Sequence, residues 1–205
     1  EQVRRRSGSG RQPRDGRRVG PVVLRAVVGQ LDIYRWHLHQ RLDGLTDDEF
    51  FWKPVPDAFC LARRSDDLYY AWPPGSRGEA VPPVTTIAWR LSHVAQGCFM
   101  HRWTTYFGDA VPDSSWDWTT QPFPATAADA LVYLEEWADR WVTSVNGVLN
   151  DGLWRCIGMR EGDAAMMQLG ELDPFVGLVL HINREVTHHG AEICLLRDLY
   201  RARES

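Results

Sequence analysis

A chain of 205 residues, 44% of them hydrophobic, is long enough for one domain with a sizeable buried core, and this composition excludes a disordered polymer. The net charge of −4 argues against nucleic acid as the main partner, and no apolar run approaches the roughly 18 residues of a membrane span. No apolar h-region follows the basic N-terminus, so no secretory signal is read and a cytoplasmic location is expected.

The charge is unevenly placed. Residues 1–18 hold seven arginines against Glu1 and Asp15, so the body of the chain is more acidic than the total suggests. The stretch EQVRRRSGSGRQPRDGRR has no apolar period, and residues 1–19 are expected to be a solvated, mobile arm ahead of a domain over 20–205.

A first helix is predicted from about Pro21 to Leu42, with Leu24, Val27, Val28, Leu31, Tyr34 and Leu38 at three-to-four spacing. Pro21 suits its first turn and Gly44 its stop. Thr46 followed by Glu49 reads as a capping box opening a short helix through Trp52. Residues 53–83 contain six prolines and no sustained period, which predicts a long structured loop. A second helix begins at Thr85 or Thr86 and reaches about Tyr106, with Ile87, Leu91, Val94 and Cys98 as its apolar stripe. After a proline-bearing loop over 108–124, a third helix runs from about Thr126 to Leu149, with Ala130, Leu131, Leu134, Trp137, Trp141, Val145 and Val148 inward. A turn-rich stretch with Gly152, Gly158, Gly162 and Gly170 follows. The fourth helix opens at Asp173-Pro174, read as a cap followed by a first-turn proline, and continues to about Arg201. No strand pattern matches these in strength. The fold class predicted is all-α, a four-helix bundle with long connecting loops.

The four cysteines (Cys60, Cys98, Cys156, Cys194) are far apart and include no CxxC pair, which argues against a zinc knuckle and a disulfide framework. Cys98 and Cys194 fall in apolar helical patterns and read as small hydrophobes.

The chemistry concentrates in LVLHINREVTHHGAEICLLRDLY, residues 178–200. One helical face reads Leu178, Ile182, Glu185, His189, Ile193, Leu196, Tyr200, apolar at both ends and ionisable in the middle. Glu185 and His189, four apart, share that face. A carboxylate turned into an apolar core costs several kcal/mol unless its charge is compensated, and a metal cation would compensate it. Imidazole with carboxylate suits zinc, nickel or iron. A third ligand must come from another helix, and His93, at the edge of the second helix's apolar stripe, is the best candidate. His101 is a weaker rival near the helix end. His37 and His39 read as exposed. His181 and His188 point some 100° or more away, although His188 could line the site from the side. Arg184 and Arg90 flank the ligands, either to meet an anionic substrate or in ordinary ion pairs. Asn183 reads either as a group orienting a ligand or as solvent-facing, and Trp52 and Trp89 either as pocket walls or as core.

The helix-two element Trp89-x-x-x-His93, with HINREVTHHGAEI from His181 to Ile193, resembles the DinB-like superfamily over roughly residues 20–202. Glu185 stands where many members have histidine, a set similar to the His-Glu-His ligands of the mycothiol-dependent isomerase branch. The FFWKPVPDAF loop, residues 50–59, resembles a segment that often precedes the second helix in that superfamily. The resemblance implies an up-down-down-up bundle, one zinc or nickel ion on His93, Glu185 and His189, and a homodimer. It also implies a thiol S-transferase in which the ion lowers the pKa of a low-molecular-weight thiol, giving a thiolate that attacks a small electrophile. Mycothiol is the expected thiol, because 22 arginines against Lys53 alone suit a GC-rich, actinobacterial genome. The alternative is a non-catalytic, metal-binding, dimeric stress-response bundle. A metalloprotease is disfavoured, since HExxH is absent.

Overall fold

The computed structural model describes residues 19–73, 83–108, 117–148, 150–158 and 173–203. The expected mobile arm therefore lies outside the described residues up to position 18, as do Leu149, Pro112, Gly162 and Gly170. The arm's predicted boundary at 19 shifts by one, because the first helix, α1 (Val19–Leu42), already includes Val19.

A short helix, α2 (Asp47–Phe51), follows α1. Next come two strands, β1 (Cys60–Arg63) and β2 (Tyr69–Trp72), which pair antiparallel with Leu61 opposite Ala71. The second rod is continuous but not uniform. It runs as α3 (Ile87–Ser92), a π-helical stretch (His93–Met100) and α4 (His101–Tyr106). The third rod is α5 (Ala127–Asn146) and the fourth α6 (Phe175–Ala202). Single 3-10 turns sit at Trp118–Thr120 and Asn150–Trp154.

Side-chain contacts give the direction of each rod. Asn183 of α6 donates to the Val27 carbonyl at 2.8 Å, and Arg41 meets Asp198 further along, so α1 and α6 run parallel. Tyr133 meets Met100, and Trp141 meets Phe107, so α5 runs parallel to the second rod. Arg90 pairs with Glu192 while Tyr106 packs on Phe175, so the second rod and α6 are antiparallel. The result is an up-down-down-up four-helix bundle, all-α apart from the small hairpin. Among the described residues no helix is long and apolar enough to cross a membrane.

The predicted stripes face inward where periodicity placed them: Val27, Val28, Leu31 and Leu38 on α1, and Ala130, Leu134, Trp141 and Val145 on α5 are buried. Thr46, Thr86 and Thr126 each accept an N–H from the third residue onward, satisfying donors that a helix start leaves open. Two expectations change. The fourth helix is preceded by Pro174 as its cap, with no side-chain cap bond, and the carbonyl of Asp173 instead accepts from Ile157 at 2.9 Å. The loop over 53–83 contains the β1–β2 hairpin, whose turn places Asp67 at φ 66°. Leu61 and Ala71, opposite each other, bury one side of that hairpin against the bundle.

Candidate metal centre

His93 opens the π-helical stretch of the second rod, and Glu185 and His189 lie one turn apart on α6. The wider turn of a π-helix is a recurrent feature of functional sites. Here the stretch is buried along its whole length after His93, so His93 is its partly exposed entry. Its ring lies parallel to the Trp89 ring, with centroids 5.7 Å apart and planes 6° from parallel, and meets Trp118 edge-on at 5.4 Å. Phe59 supports Trp89 from behind at 6.0 Å, which gives the 50–59 loop a role in the wall. Gly97 makes this packing possible, since a Cβ there would stand 3.2 Å from His93 Nδ1 and 3.3 Å from Trp118 Cε2.

From the opposite helix, Glu185 Oε2 approaches His189 Nε2 at 2.9 Å and His93 Nε2 at 3.6 Å. The two imidazoles meet edge-to-face at 4.7 Å. One ligand atom from each of His93, Glu185 and His189 lies within 4.8 Å of the other two. Ligands about 2.1 Å from a tetrahedral ion stand roughly 3.4 Å apart, so this donor set fits a divalent cation once Glu185 and His189 part by about half an ångström and the two histidine nitrogens draw together. The other carboxylate oxygen is already committed, because Arg184 donates to Oε1 at 2.9 Å. That leaves Oε2 to bind, with one oxygen only.

The electrostatics follow from burial and contact. Burial opposes the charge on Glu185, but hydrogen bonds with His189, His93 and Arg184 outweigh it and hold the carboxyl well below the usual range. Burial lowers the pKa of His93 and keeps it neutral, the form a ligand needs. His189 is also desolvated, yet its contacts with Glu185 and Glu192 raise its pKa on balance. Burial, reinforced by the charge of Glu185, pushes the Cys98 thiol far up, although its Sγ lies only 3.8 Å from His93 Nε2. Cys98 is therefore a protonated thiol.

The remaining candidates separate cleanly. His101 is buried but outside the cluster, and His37 and His39 are exposed. His181 accepts from Arg184 through Nδ1 at 2.9 Å, and its Nε2 is 3.9 Å from the outer oxygen of Glu185. His188 is exposed and faces Glu192 at 3.5 Å. Arg90 and Arg184 are both in ion pairs, with Glu192 and Glu185. Asn183 neither orients a ligand nor faces solvent. It is buried and donates to Val27 and Gln30, tying α6 to α1. Trp89 walls the site, whereas Trp52 packs on Tyr200, about three turns beyond His189.

Glu192 and Trp118 are the two residues whose place the sequence reading missed. Glu192 had a legible signal, since it falls three residues after His189 and seven after Glu185, on the same face. Trp118 had none, because it comes from a loop.

No curated protein and no solved structure matches the chain. A family model for the DinB superfamily matches residues 30–193, a span that includes the second rod and the part of α6 carrying Glu185 and His189. On that match, which covers most of its length, the chain belongs to the DinB superfamily.

Proposed function

We propose that this chain is a divalent-metal-dependent S-transferase that joins a low-molecular-weight thiol to a small electrophile. The observation that carries the reading is the convergence of His93 Nε2, Glu185 Oε2 and His189 Nε2 from two antiparallel helices. Three protein ligands leave a position open on a tetrahedral ion, the pattern of a catalytic site. A zinc or nickel ion bound there would supply the positive charge that lets a thiol ionise at neutral pH.

The chain's own groups divide the remaining work. His93 and Glu185 keep side-chain exposures of 24% and 14%, so the centre is reachable from solvent without being open to it. Trp89 and Trp118 cover the His93 side and exclude water there. Arg184 and His188, more than half exposed at the rim, offer donors to an anionic group on the incoming molecule. Cys98 is buried and its thiol is pushed far up, which supports a thiol brought from outside, with mycothiol the reading favoured by the composition. In the transfer the thiol loses its proton to solvent and its sulfur lone pair forms the new S–C bond. The electrophile then either expels a leaving group with its electron pair or gains a proton.

A second reading is a non-catalytic metal-binding bundle that pairs as a homodimer. It is favoured by the exposed Ile33 and Trp36 on α1, an apolar surface that a second copy would cover. Metal analysis of untagged protein, followed by thiol-conjugation assays with mycothiol and other thiols, tests both. A stoichiometric ion lost in His189→Ala, with conjugation lost in parallel, supports the transferase. A bound ion without thiol affinity overturns the transferase and leaves the second reading. Metal-replete protein that carries no ion overturns both.

A further inference from the structure

We propose that Glu192 is the positioning residue of this centre, fixing the His189 ring so that Nε2 faces the ion. The inference rests on the metal-binding reading above and adds a residue that lies outside the ligand set.

Glu192 Oε2 is 2.8 Å from His189 Nδ1. Glu192 accepts from Nδ1–H and Glu185 from Nε2–H, so an ion binding at Nε2 would displace that proton and leave the one on Nδ1 held by Glu192. A histidine ligand whose distal N–H donates to a carboxylate is held in one tautomer and one orientation, and its other nitrogen becomes more basic. Glu192 cannot itself be a ligand here, because it meets the nitrogen on the far side of the ring.

The carboxylate is in turn flanked from two directions. Arg90 Nε stands 2.8 Å from the same Oε2, and His188 Nε2 stands 3.5 Å from Oε1. Arg90 precedes His93 by about one turn on the second rod. Each helix therefore contributes both ligation and support: His93 with Arg90 from one, and Glu185 and His189 with Glu192 from the other. Arg90 also balances the Glu192 charge, while Glu185, with Arg184 on its Oε1, keeps Oε2 facing inward toward the ion position. His188 lies beside this support. Its ring stacks on that of His189 at 4.8 Å and 19°, covering the outer edge of the support.

The test is calorimetric titration of metal-free, untagged protein with zinc and with cobalt, the cobalt form also read by its visible absorption. Glu192→Ala is expected to weaken affinity ten- to hundredfold and to shift the cobalt bands. Glu192→Gln, whose amide oxygen can still accept from Nδ1, recovers most of that loss, and His188→Gln stays within about threefold of wild type, by the weakness of exposed pairs. Glu192→Met keeps the side-chain volume and carries the same expectation as alanine, should the alanine variant fail to fold. Wild-type affinity and an unchanged cobalt spectrum in Glu192→Ala or Glu192→Met overturn the inference while the metal reading stands. A wild-type protein that takes up neither ion overturns the metal reading and this inference with it.

Discussion

Nε2 of His93 stands 3.6 Å from Oε2 of Glu185 across the contact between the second rod and α6. Neither helix holds all three ligands, so an ion bound here cross-links two rods and stabilises the folded chain alone. At a hundredfold excess over Kd this linkage adds about 2.7 kcal/mol, or roughly 5–10 °C in Tm for a chain of this size. Differential scanning fluorimetry with zinc, then with chelator, should show that rise and its reversal, and His189→Ala should abolish it.

Gly97→Ala probes the room around His93. The added Cβ would press on His93 Nδ1 and Trp118, at 3.2 and 3.3 Å, while alanine itself favours the helix by roughly 1 kcal/mol. Metal affinity is expected to fall on the order of tenfold, the scale of supporting-group losses, with folding stability changed by less than about 1 kcal/mol. Titration and urea denaturation of the same sample check the two halves separately.

His181 gives the metal-free protein an acid-sensitive element. Burial lowers its pKa to about 4 from an ordinary value of 6.5. Between those values the unfolded chain binds more protons than the folded one, so stability contributed by neutral His181 is full above pH 6.5 and is lost as pH falls toward 4. Urea midpoints measured over that window should drop more steeply in the wild type than in His181→Asn. Parallel curves would show that this histidine does not titrate as its burial requires.

Arg197 donates Nε–H to Glu49 at 2.9 Å, with side-chain exposures of 1% and 4%. It also donates to the Arg41 carbonyl, joining α1, α2 and α6. Removing one member of a buried pair leaves a charge without compensation, at a cost of about 3–5 kcal/mol. Glu49→Ala should show that loss in denaturant melts. The double replacement Glu49→Leu with Arg197→Met should recover most of it, and zinc affinity should stay near wild type because Arg197 lies about two turns from His189.

The four rods were legible because each has a buried stripe at helical spacing, and Thr86 and Thr126 stand at the starts of two of them. Glu49 shows where the local rule runs out. The capping pattern is present and Thr46 accepts its N–H, but the carboxylate turns away to Arg197, a partner no local spacing announces. The hairpin was hidden by short strands inside a proline-rich segment, where an alternation over Cys60–Arg63 is too brief to register. At the centre, side-chain types and spacing indicated His93, Glu185 and His189 as a set, and the structure brings them together. Trp118 packs on His93 only through tertiary contact, and the π-helical stretch is apolar or buried all round, so no polar face betrays its altered pitch.

That altered pitch carries a consequence for length changes in the chain. Over His93–Met100 each turn takes in an additional residue relative to an α-helix. Removing one residue from this stretch would let ordinary helical bonding resume with the flanking helices turned little against each other, whereas losing the wider turn at unchanged length would swing everything upstream by roughly 100° against everything downstream. His93 and Trp89 would then leave the gap facing Glu185, with every side chain in the chain's donor set still present. In this rod, spacing along the backbone is as much a chemical determinant as residue identity.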